Sequence, residues 1–309
     1  MTDQPKLRLG TRQSPLAMAQ AREARARLCA AHGWPESAVE LVPVRASGDK
    51  VQDRPLAEIG GKALWTKELD ECLADGRIDG AVHSMKDVET VRPASLVIAA
   101  ILPRADVRDV LIGAASIAAI PRGARIGTSA PRRAAQMLYF RPDCEIVTFR
   151  GNVATRLAKL SAGEAEITLL AAAGLARLEE TGVGTPLEPS EWLPAPAQGA
   201  IGIECRAADG KTRALIARID HAPSCAGVLA ERALLAGLGG NCHSPIAAYS
   251  TLDGNRIRLR VALFSPDGAE RVDGEREFAA GDTDTPAALA ADLLARATPG
   301  IAAHFDGPA

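Results

Sequence analysis

Lys6-Leu7-Arg8-Leu9-Gly10-Thr11-Arg12-Gln13-Ser14-Pro15 sets the architecture of the chain. Leucines alternate with cations over its first residues, the two-residue period of a strand. The strand runs into a polar turn that carries Arg12. Ser14 suits a helix N-cap, and Pro15 suits the first helical position, where its missing N–H is not needed. An Ala-rich run extends this helix to His32, and Gly33-Trp34-Pro35 stops it. Val39 to Val44 reads as the next strand. Strand, cationic turn, helix and strand in succession are the signature of an α/β fold.

Working outward, residues 46–62 read as a long polar loop ending in Gly60-Gly61-Lys62, of a kind that is either disordered or an active-site lid. Residues 63–75 read as a helix. Ile78 to Val82 reads as a strand that delivers His83-Ser84-Met85-Lys86-Asp87, and 96–102 as another. Pro103-Arg104-Ala105-Asp106 reads as a crossing into a second domain that repeats the opening logic. There Arg125-Ile126-Gly127 ends a strand, Thr128-Ser129 cap, and Pro131-Arg132-Arg133 begin a helix. A strand over Glu145–Phe149 leads to the turn Arg150-Gly151-Asn152. The helix after it has Val153, Leu157 and Leu160 on one face. Ile167 to Ala171 is an apolar strand leading to Ala173-Gly174-Leu175-Ala176-Arg177.

Leu193-Pro194-Ala195-Pro196-Ala197-Gln198-Gly199 is a stiff connector, and the strand Ala200–Cys205 returns to the first domain. A helix over 223–238 follows. Segments 246–251, 256–264 and 270–279 then alternate apolar and polar around Asp253-Gly254 and Asp267-Gly268, an antiparallel meander. Residues 285–297 should form a helix packed on it. The expected fold is α/β with a small α+β C-terminal domain holding a three-stranded antiparallel sheet. The domain limits are 1–103 with 199–220, then 104–198, then 221–309.

The chain of 309 residues is 47% apolar with a net charge of −2, so no global field favours nucleic acid or membrane. Five Phe and two Tyr give few platforms for stacking bases. The six cysteines include no CxxC pair. His221, Cys225, Cys242 and His243 match no usual ligand spacing, so no metal is expected. The polar N-terminus and the lack of a long apolar run point to a soluble, cytoplasmic protein.

In open α/β sheets, ligands bind beyond the carboxyl ends of the strands. Four such ends carry cations here: Arg12, Lys86, Arg132 with Arg133, and Arg150 with Arg156. Each precedes a helix start, where unpaired N–H groups favour anions. A ligand with several carboxylates or phosphates is implied, and the absence of GxGxxG and GxxxxGK[ST] disfavours a nucleotide. Asp87 is an acid among these bases. It either pairs with a neighbouring cation or stabilises a cationic reaction species. Leu238-Gly239-Gly240-Asn241-Cys242-His243-Ser244-Pro245 places a thiol in a turn. Cys242 is then either an idle small apolar residue or an attachment point.

These segments, from Thr11-Arg12-Gln13-Ser14-Pro15 through Val82-His83-Ser84-Met85-Lys86-Asp87-Val88, Gly127-Thr128-Ser129, Arg150-Gly151-Asn152-Val153 and Pro196-Ala197-Gln198-Gly199 to the Cys242 loop, resemble the porphobilinogen deaminase family. The match runs in order from residue 7 to about 250. The resemblance implies two domains like type II periplasmic binding proteins and a third bearing the cysteine. It implies a transferase of haem biosynthesis, a hydroxymethylbilane synthase. Such an enzyme condenses four porphobilinogens, with loss of ammonia, on a dipyrromethane cofactor held by Cys242 through a thioether, then releases the linear tetrapyrrole.

By position, Asp87 and Lys86 would be catalytic. Lys86, Asp87, Thr128, Ser129, Arg132, Arg133 and Gly151 would hold the cofactor. Arg12, Ser14, Trp65, Arg150, Arg156, Arg177 and Gln198 would meet substrate. The resemblance also implies a monomer. Departures are Ala130-Pro131 for Ser-Leu, Trp65 for Phe, Glu89 for Pro, and His243 after the cysteine. The rival class is a two-lobed polyanion-binding protein without catalysis.

Overall fold

The computed structural model describes residues 5–45, 66–241 and 243–308. Trp65, the loop 46–62 with its Gly60-Gly61-Lys62, and Cys242 lie outside the described residues.

β1 (Leu7–Arg12) leads into α1 (Pro15–His32) and β2 (Val39–Val44). Ser14 caps α1 by accepting from Ala17 N at 3.3 Å. Gly33 ends the helix at φ +63°, a left-handed angle that suits glycine. α2 (Lys67–Ala74), β3 (Gly80–Ser84), a 3-10 turn (Met85–Asp87) and β4 (Leu96–Ile101) follow. β5 (Asp109–Ile112), β6 (Arg125–Gly127), α3 (Pro131–Phe140), β7 (Glu145–Val147), α4 (Val153–Ser161), β8 (Ile167–Ala171), α5 (Ala172–Arg177) and the short β9 (Thr185–Pro186) come next. Then come β10 (Ile201–Arg206), α6 (Gly210–Ala217) and α7 (Ala222–Leu238). β11 (Ile246–Asp253), β12 (Arg256–Phe264), β13 (Arg271–Ala279), α8 (Asp284–Arg296) and α9 (Pro299–Ala302) complete the described chain.

The described residues fall into two compact units, one within Met1–Val51, Gly61–Ala105 and Gly199–Cys225, the other within Asp106–Gln198 and Ala226–Ala309. The first unit holds a five-stranded sheet ordered β2-β1-β3-β10-β4. β1 is parallel to β2 and β3, and β10 is antiparallel to β3 and β4. Its core joins Leu7, Leu9, Leu28, Ile201 and Ile203.

The second unit repeats this plan as β7-β6-β8-β5-β9, with β6 parallel to β7 and β8 and β5 antiparallel to β8 and β9. The same unit carries the antiparallel sheet β11-β12-β13. α7 and α8 bury Leu234, Leu238, Leu289 and Leu293 against Ile257, Leu259, Val261 and Phe278 of that sheet. The fold is α/β with two five-stranded mixed sheets and a separate three-stranded antiparallel one.

Local differences from expectation are small and have physical causes. β3 runs on to Ser84 because β10 pairs with it as far as Ile201 opposite Ser84. α3 has Ala130 at its N-cap with no side-chain cap bond; Thr128 Oγ1 instead accepts from Ala130 N at 3.2 Å. α6 was not anticipated, although Asp209 caps it by accepting from Thr212 N at 3.0 Å.

Candidate functional site

In the first unit, the register Leu9 to Gly80 and Gly10 to Ala81 brings the carboxyl ends of β1 and β3 to one edge of the sheet. Thr11 is buried there, with its hydroxyl donating to Ala17 O at 3.1 Å, which folds the Arg12 turn onto the start of α1. Arg12 and Ser14 are half-buried beside it.

β3 empties into the turn Met85–Asp87 at the same edge. Met85 is buried and its N–H donates to Ala200 O at 3.1 Å. Gly202 makes room for it, since a Cβ there would overlap the Met85 sulfur. With Met85 pinned inward, Lys86 and Asp87 stay half-buried at the sheet edge.

Beneath this turn lies an ionic cluster. Glu204 of β10 is fully buried, 3.2 Å from His83 Nε2, and accepts from Arg92 Nε and Nη2 at 3.0 and 2.9 Å. Burial works against the Glu204 carboxylate, but the neighbouring His83 ring and the bonds and charge of Arg92 win and bring it down to about 2. Asp70 goes the other way, because burial outweighs its bond to Arg92 and lifts its carboxyl.

In the second unit, Gly127 of β6 lies opposite Thr168 of β8, whose hydroxyl donates to Gly127 O at 2.6 Å. The Phe149 ring covers Gly127 so closely that a Cβ would collide with it. The Thr128-Ser129 turn therefore leaves the sheet with Thr128 buried and Ser129 half-buried.

Asp109 was not picked out from sequence. It opens β5 opposite Ala171, the last residue of β8, so it sits at this carboxyl edge. Fully buried, it accepts from Arg132 Nη2 and Arg133 Nη2, both at 2.7 Å, from Trp192 Nε1 at 2.8 Å and from Gln198 Nε2 at 2.9 Å. Burial opposes its charge, but the two guanidinium groups and the Arg133 and Trp192 bonds hold it far below the usual carboxylate range.

Arg132 and Arg133 are thus not solvated turn cations. Both are buried, and they also donate to Leu193 O at 3.0 Å and Leu169 O at 2.9 Å. Gln198 is likewise buried, with a second bond to Val107 O at 2.7 Å. Two guanidinium groups face one carboxylate in this group, leaving a surplus positive charge. Arg133 Nε is buried with no hydrogen-bond partner among the described residues.

Gly151 has φ +110° and packs against Thr155, where a Cβ would come within 2.6 Å of the threonine Cγ2. Arg150 is buried beside it, and Arg156 Nε donates to Gly151 O at 3.1 Å. Arg177 is half-buried in the last turn of α5.

Around the third sequence site, Asn241 Oδ1 accepts from His243 N at 2.8 Å and Ser244 Oγ accepts from Asn241 N at 3.1 Å. Burial lowers the His243 imidazole from its ordinary value. The five described cysteines are poorly suited to covalent attachment. Cys29, Cys72, Cys144 and Cys205 are buried, with their thiols raised by burial, and burial pushes Cys225 up to about 11. Among the described residues no group of three or more His, Cys, Asp and Glu is arranged to hold a metal ion. No helix among them is long and apolar enough to cross a membrane.

Family models agree with this layout. One described as porphobilinogen deaminase, dipyromethane cofactor binding domain, matches residues 7–214, and one described as the porphobilinogen deaminase C-terminal domain matches 225–297. A porphobilinogen deaminase of Sphingopyxis alaskensis is 56% identical over 305 residues, covering 97% of this chain and 96% of that one. A porphobilinogen deaminase of Paracoccus denitrificans is 50% identical over 293 residues, covering 94% and 93%. Among solved structures, the periplasmic VFT2 domain of Bordetella pertussis BvgS aligns with 12% identity over 69% of this chain and 86% of that one. Its TM-score of 0.40 is too low to bear on function. With nearly the whole length matched at half identity or better, this chain, a transferase by that kinship, belongs to the porphobilinogen deaminase family.

Proposed function

We propose that the chain is a hydroxymethylbilane synthase in which Asp87 is the reacting carboxylate and Cys242 the attachment point of a dipyrromethane cofactor. The observation that carries this reading is the chemistry at the carboxyl edges of both five-stranded sheets. Each edge delivers basic turns, and one of them also presents a half-buried acid beside Lys86. Family membership removes the rival reading of a binder without chemistry.

The residues present fit a polyanionic cofactor. The surplus charge around Asp109 and the orphaned Arg133 Nε favour a ligand carboxylate. Thr128, Ser129, Arg132, Arg133, Gly151, Lys86 and Asp87 would hold this group. When bound, it supplies a tethered primer for chain growth. Arg12, Ser14, Arg150, Arg156, Arg177, Gln198 and Trp65 would serve the acetate and propionate groups of porphobilinogen. Arg132, Arg133 and Gln198 already have protein partners. The two arginines would act in part by setting the local charge, and Gln198 by holding Asp109.

Loss of ammonia from porphobilinogen leaves a methylene pyrrole whose positive charge spreads onto the ring nitrogen. Arginines raise the energy of such a cation. A carboxylate near the ring N–H lowers it and can take up the proton released on condensation. Support for Asp87 in this role comes from buried Met85, which fixes the turn that carries it. The three-part division 1–103 with 199–220, 104–198 and 221–309, a monomeric state and a cytoplasmic location belong to the same proposal.

Asp87→Asn keeps the shape and removes the charge. In single-turnover elongation on cofactor-loaded protein it should slow at least about a hundredfold, roughly 2.7 kcal/mol of barrier. Asp87→Glu should keep partial activity. Elongation of Asp87→Asn at the wild-type rate would reduce Asp87 to a structural ion-pair partner.

A further inference from the structure

We propose that Arg92 and Glu89 are positioning residues for Asp87, forming a buried guanidinium tie that fixes both ends of the Met85–Asp87 turn. The inference rests on the reading of Asp87 as the reacting carboxylate.

The tie follows from the bonds. Downstream of the turn, Glu89 Oε2 accepts from Arg92 Nη1 at 2.6 Å and from Thr66 Oγ1 at 2.8 Å. Upstream, Glu204 lies on β10, which pairs with β3 and puts Glu204 opposite Ala81, and its Oε2 is 3.2 Å from His83 Nε2. Arg92 joins the two ends, since its Nε and Nη2 grip Glu204 at 3.0 and 2.9 Å while its Nη2 also donates to Asp70 at 2.6 Å. One guanidinium with all three nitrogens engaged thus links the strand entering the turn, the segment leaving it, the antiparallel strand β10 and helix α2.

The Arg92 side chain is only 10% exposed, so the tie is shielded from water and salt. Holding α2 on the sheet does not require it; apolar contacts of Leu69, Leu73 and Ile78 already do that. What a bidentate guanidinium adds is direction, because its planar fork accepts few geometries. That property matters for a carboxylate two residues from Glu89 that must meet a ring N–H at hydrogen-bond distance. The Glu89–Arg92 ion pair stiffens the exit from the turn.

The test is single-turnover elongation on cofactor-loaded protein, with porphobilinogen as the substrate, for Arg92→Leu, Arg92→Lys, Glu89→Gln, Asp87→Asn and the double variant Asp87→Asn/Arg92→Leu. Arg92→Leu should slow the step at least about tenfold at saturating substrate, with Arg92→Lys intermediate and Glu89→Gln slowed several-fold. In the Asp87→Asn background, Arg92→Leu should have almost no further effect, because the group it positions is gone.

Wild-type rates for Arg92→Leu and Glu89→Gln beside a slow Asp87→Asn would overturn the tie and leave Asp87 standing. An equal loss from Arg92→Leu with and without Asp87 would also overturn it, since the residue would then act on the fold. A wild-type rate for Asp87→Asn would remove both readings. Should Arg92→Leu fail to fold, Glu89→Gln, alone and with Asp87→Asn, gives the same comparison.

Discussion

Asp109 and Asp87 are both carboxylates beside cations, and burial separates their roles. Asp109 is fully buried and takes bonds from four donors, whereas Asp87 is half-buried at a sheet edge. Asp109→Asn would leave two guanidinium groups buried without their counter-charge. It should cost on the order of 3–5 kcal/mol in urea unfolding and reduce cofactor loading. A variant as stable as the wild type would show that the arginines need no partner there.

Glu204 gives a prediction about pH. Its folded carboxyl sits at about 2 against an ordinary 4.5, so between those values the unfolded chain binds more protons and stability rises with pH. Its contribution, at most on the order of 3 kcal/mol, is full above the ordinary value and is lost as pH falls towards the folded one. The cost of Glu204→Gln should therefore be large at neutral pH and shrink in acid. The same cost in neutral and acid unfolding curves would contradict this.

At this scale the sequence exposed the basic turns but hid their partners. Asp109 meets Arg132, Arg133, Trp192 and Gln198 across 23, 24, 83 and 89 residues, and no local spacing signals such a hub. The reading of Arg132 and Arg133 as turn cations did not reveal their burial, for the same reason.

Among elements, those with chemical punctuation were readable. Ser14, Pro15 and Gly33 bracket α1, and Asp253-Gly254 and Asp267-Gly268 bracket β12. Ser14→Ala should lower stability by about 1 kcal/mol through loss of the cap bond, measured by thermal or urea unfolding. An unchanged midpoint would mean that water replaces the serine without loss. Gly127→Ala tests a tighter contact, because its Cβ would drive into the buried Phe149 ring. Overpacking of this kind costs about 1–3 kcal/mol and would displace the Thr128-Ser129 turn. What stayed unread was either short or weakly patterned. β9 spans only Thr185–Pro186, and α6 buries only Thr212 and Ile216.

For the molecule as a whole, the repeat of strand, basic turn and helix was visible in both halves without any identity between them. The matching sheet orders β2-β1-β3-β10-β4 and β7-β6-β8-β5-β9 were not, because the position of β10 and β5 depends on pairings distant in sequence. The third sheet packs on the second unit's helix α3. Ala135, Leu193, Ala247, Ala262 and Phe264 form one cluster there, with Arg271 Cζ 5.1 Å above the Tyr139 ring. The chain thereby carries the residues flanking Cys242 on a packed support rather than on a loose tail.

We propose that Cys242, between these flanking residues, bears a covalent primer. Intact mass of the purified active protein, followed by peptide mapping, tests it most directly. Two linked pyrrole units are expected on the peptide containing Cys242 and on no other cysteine, with neither adduct nor activity in Cys242→Ser. Fully active protein with an unmodified Cys242, or with its adduct on another residue, would contradict it.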